Sequence, residues 1–86
     1  MTYIVTWSMG ALTELARITA HYGDPRAVDQ AAVWSDYALR RYPMDLGESR
    51  DGDERLWYGD VLGIHYHVDS IQMRVRVMAV GPARRR

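Results

Sequence analysis

The stretch from residue 62 to residue 80 constrains the fold more than any other. Leu62, Ile64, Tyr66 and Val68 alternate with Gly63, His65 and His67. After Asp69-Ser70, Val75, Val77 and Ala79 alternate with Arg74, Arg76 and Met78. A period of two marks a strand with one face buried and the other wet. Two such runs around a short turn specify an antiparallel pair. The pattern predicts strands over 62–68 and 73–80, with Gly81-Pro82 closing the second. A third strand, 54–58, precedes them through a hairpin turn centred on Gly59-Asp60. If Leu56 and Tyr58 point inward on that strand, Arg55 or Trp57 joins the polar face with His65, His67, Arg74 and Arg76.

The first half of the chain has a different period. Tyr3-Ile4-Val5-Thr6-Trp7 is β-branched and aromatic and reads as a strand. Ser8 offers an N-cap oxygen, and Ala11, Leu12, Leu15, Ile18, Thr19 and Tyr22 recur at helical spacing over 9–22. Gly23 suits a left-handed position after the helix. Asp24-Pro25 opens a second helix, since proline at the first helical position gives up no hydrogen bond. Val28, Ala31, Ala32, Ser35, Ala38, Leu39 and Tyr42 form its inner stripe, and Pro43 ends it. The short connection predicts an antiparallel helical hairpin, and residues 44–53 read as a charged loop. The fold class is therefore α+β, in the order β-α-α-β-β-β, with the hairpin on one face of an antiparallel sheet. With 86 residues, the chain is a single domain, 1–86. A domain this small buries only roughly 60–65% of its unfolded surface, so a permanent partner would add to a thin stability margin.

Composition narrows the chemistry. Hydrophobic residues make up 48% and charged residues 26%, which suits a globular chain and not a disordered one. No apolar run approaches the ~20 residues of a membrane span, and from the alternating opening no signal peptide is expected. The expectation is a cytoplasmic protein without a membrane partner. Cysteine and lysine are absent, and all eleven basic residues are arginine. Thiolate metal sites, disulfides and a lysine general base are excluded. The net charge is zero but unevenly spread. Residues 44–69 hold seven acids against Arg50 and Arg55, whereas 70–86 hold Arg74, Arg76, Arg84, Arg85, Arg86 and no acid.

His65-x-His67 puts two imidazoles about 7 Å apart on one strand face, a spacing metal sites use. A third ligand is wanting: Asp69 lies about 13 Å from His65 along an extended strand, and the neighbouring strand offers arginines. No metal and no cofactor is expected. Two histidines beside arginines also suit RNA cleavage, in which one takes the 2′-hydroxyl proton, the other protonates the leaving oxygen, and arginine stabilises the phosphorane. A solvated histidine pair is the plain alternative. Trp34 and Trp57 could stack on bases, but packing is the default for both. Motifs for a serine nucleophile, a P-loop, a zincin or a dinucleotide fold are absent.

The ordered set of elements resembles the RelE/ParE superfamily of toxins from type II toxin–antitoxin modules, also called plasmid-stabilisation proteins. The resemblance rests on the Tyr3-Ile4-Val5-Thr6-Trp7-Ser8 opening, Ala11-Leu12-x-x-Leu15, and the alanine-rich second helix ending in Tyr42-Pro43. Gly47-Glu48-Ser49-Arg50 with Arg55, Gly63-Ile64-x-Tyr66-x-Val68-Asp69 and Val75-x-Val77-x-x-Val80 complete it. It implies a toxin neutralised by a cognate antitoxin, with self-association into a homodimer as a further expectation. The implied target is either ribosome-bound mRNA, cut by RelE-like members, or DNA gyrase, poisoned by ParE-like members. The chain departs from the nuclease pattern: it has no lysine, Gly63 stands where the resemblance puts a catalytic arginine, and no tyrosine or histidine follows Val80. Arg55, Arg74, Arg76 and Arg84 remain as target-binding candidates, and His65 and His67 as candidate catalytic groups of an mRNA endonuclease. The alternative is a non-toxic protein-binding module that uses the same sheet face.

Overall fold

The alternating runs pair as expected, and the rest of the sheet is built around them. In the computed structural model, which describes residues 2–83, β4 (Leu62–Asp69) and β5 (Arg74–Pro82) lie antiparallel at the centre of a five-stranded sheet. Going outward from β4 come β3 (Glu54–Tyr58) and β2 (Glu48–Ser49), both antiparallel. On the other side of β5 lies β1 (Ile4–Trp7), which runs parallel to it. The three-stranded antiparallel sheet is thus part of a mixed one, in the order β1-β5-β4-β3-β2. The parallel pair follows from connectivity: two helices separate β1 from the next strand, and a long crossover can return the chain in the same direction.

α1 (Met9–His21) begins at Ser8, whose hydroxyl accepts from the Ala11 amide at 3.0 Å. α2 (Pro25–Arg41) begins at Asp24, whose carboxylate accepts from the Ala27 amide at 3.2 Å. Gly23 follows the C-cap Tyr22, but its φ is not positive. The expected left-handed turn is not used, because the chain leaves α1 in extended geometry at Tyr22 (φ −77°, ψ 146°). α1 packs mainly on β5, while α2 lies over β1 and β4. Ala11 and Ile18 from α1, and Val28, Ala38 and Leu39 from α2, meet Val5, Leu62, Ile64, Tyr66, Val68, Val75, Val77 and Val80 in the core. Leu12, Tyr22 and Tyr42 were expected in the inner stripes but stand exposed at the stripe edges.

One irregularity re-aims the end of the sheet. The β4–β5 register shifts between His65 and Tyr66, so Tyr66 faces Val77 while His65 faces Ala79, and Met78 is the extra residue of a bulge. An extra residue reverses the parity beyond it. Val80, not Ala79, therefore enters the core, and Ala79 is exposed. Ser8 stabilises the bulge: its hydroxyl donates to the Met78 carbonyl at 3.1 Å and its amide to the Val77 carbonyl at 2.9 Å. The same serine thus caps α1 and holds the bend of β5. Beyond the bulge β5 continues through Gly81-Pro82 instead of stopping there. The β3–β4 turn closes between Gly59 and Leu62, so its tip is Asp60-Val61, one residue later than expected.

Candidate functional site

The face of the sheet away from the helices is the candidate surface. Residues directly opposite in a sheet project to the same side, so the register defines its rows. Glu54, His67, Arg76 and Thr6 form one row, and Leu56, His65 and Ala79 the next. Tyr58, Gly63 and Gly81 follow at one end, and Asp69, Arg74 and Ile4 at the other. His65, His67, Arg74 and Arg76 therefore share the open face, as their alternation requires. Arg84 lies outside the described residues.

Arg55 does not join them. It stands opposite Tyr66, so it projects to the helix-covered side, with Trp57 packed against the core beside it. The expected parity of β3 is reversed, and Leu56 and Tyr58 face solvent. Arg55 Nε donates to the Leu46 carbonyl at 3.0 Å and its Nη2 to the Gly47 carbonyl at 3.3 Å. The buried Tyr66 hydroxyl lies 2.7 Å from the Pro43 carbonyl and 2.9 Å from that of Leu46, so its single proton is shared between two acceptors. Together Arg55 and Tyr66 pin the segment that leads from α2 to β2. Burial raises the Tyr66 hydroxyl above its ordinary pKa, an effect that Arg55 beside it partly offsets. Gly47 completes this corner at φ 65°, where a Cβ would collide with the Leu56 carbonyl and come within 2.8 Å of the Trp57 Cβ.

The two histidines have acidic neighbours. His65 Nε2 donates to Glu54 Oε1 at 2.9 Å, a diagonal pair across β3 and β4. His67 Nε2 sits 3.9 Å from Asp53 Oδ2, an ion-pair distance too long for a hydrogen bond. The face is thus divided. Glu48, Asp53 and Glu54 crowd the β2–β3 side, and Arg74 and Arg76 stand on β5. Among the described residues, neither of these arginines has an ion-pair partner. Asp69 shares the row of Arg74, but its Oδ1 accepts the Ile71 and Gln72 amides at 3.0 Å and holds the β4–β5 turn. Among the described residues, no three His, Asp or Glu side chains are grouped to hold a metal ion.

Two residues of this face escaped the sequence reading. Arg50, 3.7 Å from Glu48, lines a groove of ≈ 490 Å³ with Asp51, Glu54, Leu56 and His65. Its place depends on β2, whose two residues are too few to show a period. Tyr58 lies across Gly63, where a Cβ would come within 2.9 Å of the ring. A side chain at 63 would have to displace that ring, which is 63% exposed. An aromatic covering a cross-strand glycine is a pairing that local sequence does not announce.

With this geometry in view, the likeness to solved structures is informative. No protein-family model matches the chain, and no curated protein matches it by sequence. The RelBE2 toxin–antitoxin complex of Mycobacterium tuberculosis superposes with a TM-score of 0.78 at 18% identity, covering 95% of this chain and 99% of the other. The chromosomal ParDE system of P. aeruginosa gives 0.73 at 15% identity, over 95% and 97%. The isolated E. coli RelE toxin gives 0.68 at 17% identity, over 98% and 87%. The fold is that of the RelE/ParE toxins. Its open face, however, combines acid-paired histidines with arginines on β5 that have no ion-pair partner among the described residues.

Proposed function

We infer that this chain is the toxin of a type II toxin–antitoxin pair, neutralised by a cognate antitoxin, and that it arrests growth by binding a protein target in the cytoplasm. DNA gyrase, the target implied by the ParE side of the resemblance, is the leading candidate. The observation that carries this reading is the engagement of the groups that nuclease chemistry would need. His65 donates to Glu54, Arg55 is turned under the sheet to the carbonyls of Leu46 and Gly47, and Gly63 lies beneath Tyr58. The acids on the β2–β3 side would repel a phosphate backbone, whereas a mixed face with exposed Ile4 and Tyr58 suits a protein surface. The fold shared with toxin structures over nearly the whole chain supports the toxin assignment.

A second reading, cleavage of ribosome-bound mRNA, is favoured by the row that sets His67 beside Arg76. Induction of the protein with and without the adjacent small reading frame separates the two. Expected are growth arrest relieved by the neighbour, intact mRNA, and altered plasmid supercoiling. Fragmented mRNA that a His65→Ala/His67→Ala variant no longer produces selects the nuclease. No growth defect in a close host selects a non-toxic binding module.

A further inference from the structure

The turn between β4 and β5 breaks two local rules at once. Ile71, at its tip, is 93% exposed, more than any other large apolar side chain among the described residues. Two residues on, Met73 has φ 57°, the one positive φ outside glycine among the described residues. Glycine or asparagine would hold that left-handed position at less cost, and a polar residue would suit the tip better than isoleucine. Backbone strain of this kind persists where the surroundings over-determine it, and it gathers at sites that clamp a partner.

The surroundings fix this turn from both sides. Asp69 Oδ1 accepts the Ile71 and Gln72 amides, both at 3.0 Å. The Met73 carbonyl accepts the Ile4 amide at 2.9 Å, so β1 braces the far side. Isoleucine is itself stiff at its first side-chain torsion. The tip is therefore ordered before any contact, and a group held in place loses less entropy when it docks.

The charges beside the tip say what it fits. Arg74 lies opposite Asp69 on one side and Ile4 on the other, and Arg76 lies one row further along the same face. Both arginines are exposed, and Ile4 beside Arg74 is 58% exposed. Asp69 is committed to the turn amides, and neither arginine has an ion-pair partner among the described residues. An apolar tip flanked by guanidinium groups complements an apolar pocket with carboxylates at its rim. A branched aliphatic side chain offers a nucleic acid neither a stacking face nor a hydrogen bond.

We propose that the β4–β5 turn anchors this protein on its target: Ile71 enters an apolar pocket of a partner protein, and Arg74 and Arg76 pair with carboxylates at the rim of that pocket. The anchor presupposes the protein target inferred above and names how that target is held.

Supercoiling of relaxed plasmid by purified DNA gyrase, titrated with the full chain, tests it. Unfolding midpoints and co-purification with the product of the adjacent small reading frame serve as controls. The native chain should inhibit. Ile71→Ser and Arg74→Glu should each raise the half-inhibitory concentration about tenfold or more. Ile71→Val should cost only about fourfold, the worth of one buried methylene. Midpoints and co-purification should stay as they are. Undiminished inhibition by Ile71→Ser or Arg74→Glu overturns the anchor and leaves the toxin reading standing. If the native chain spares gyrase but arrests growth with mRNA intact, the same variants are scored on growth, and retained arrest overturns the anchor. A native chain that neither inhibits gyrase nor arrests growth overturns both, as does arrest with fragmented mRNA. Loss of co-purification with inhibition retained overturns the anchor and assigns the turn to the antitoxin.

Discussion

β4 and β3 are neighbours in the same sheet, yet they are held in different ways. Along β4 every second residue is buried and apolar, and the neighbours on both sides extend the core. Along β3 the first four residues are half-buried and the last is exposed, with only the short β2 beyond it. Its inner side is held by a charged fork on two backbone carbonyls as well as by Trp57. A central strand is oriented by the apolar area it removes from water. A strand near the edge can be oriented by a few directional bonds, and then its apolar residues no longer report which way it faces.

The largest effect should come from breaking the β4 side of this contrast. Ile64→Ala opens a cavity in the core and should cost about 2–5 kcal/mol. Leu56→Ala on β3 faces solvent and should stay within about 0.5 kcal/mol. Denaturant unfolding of both variants checks the difference. Equal losses would restore Leu56 to the core.

Arg55→Ala should come next. It removes two charge-assisted hydrogen bonds and frees the 43–47 segment, at a cost of about 1.5–3 kcal/mol. Arg76→Ala, with no ion-pair partner among the described residues, should leave the unfolding midpoint where it is but weaken target binding. The reverse pattern would return Arg55 to the target-binding set with Arg74 and Arg76.

The smallest effect depends on pH. Burial raises the Tyr66 pKa in the folded state, so the folded chain holds this proton more tightly than the unfolded one. The stability it contributes is complete below the unfolded value of about 10 and is lost as pH rises through the folded value. Tyr66→Phe should cost about 1 kcal/mol at neutral pH and make the loss of stability above pH 10 less steep. Matching alkaline slopes in the two proteins would sink this account.

How much of the candidate site was legible follows from the same contrast. His65, His67, Arg74 and Arg76 were placed on the open face by alternation within their own strands. That alternation has a physical cause, because successive side chains in a strand point to opposite sides. Arg55 could not be placed this way. Leu56 and Trp57 are both large and apolar, so neither parity of β3 is favoured locally. Arg50 and Tyr58 were missed because their positions depend on partners distant in sequence or across a turn.

By itself, the sequence determined the two helices with their caps and the longer strands, though not the two-residue β2 inside the expected 44–53 loop: Ser8 before α1, Asp24-Pro25 before α2, and the alternating β4–β5 pair with its turn at Asp69. These signals act over a few residues, through helix-end hydrogen bonds and the pleat of a strand. Only the tertiary structure decided that β1 joins β5 in parallel, that Met78 bulges against Ser8, and that Arg55 turns inward to the loop. Each of these outcomes is a choice of partner between segments distant in the chain. Such choices are made by competing contacts in the folded core, and no local pattern carries them.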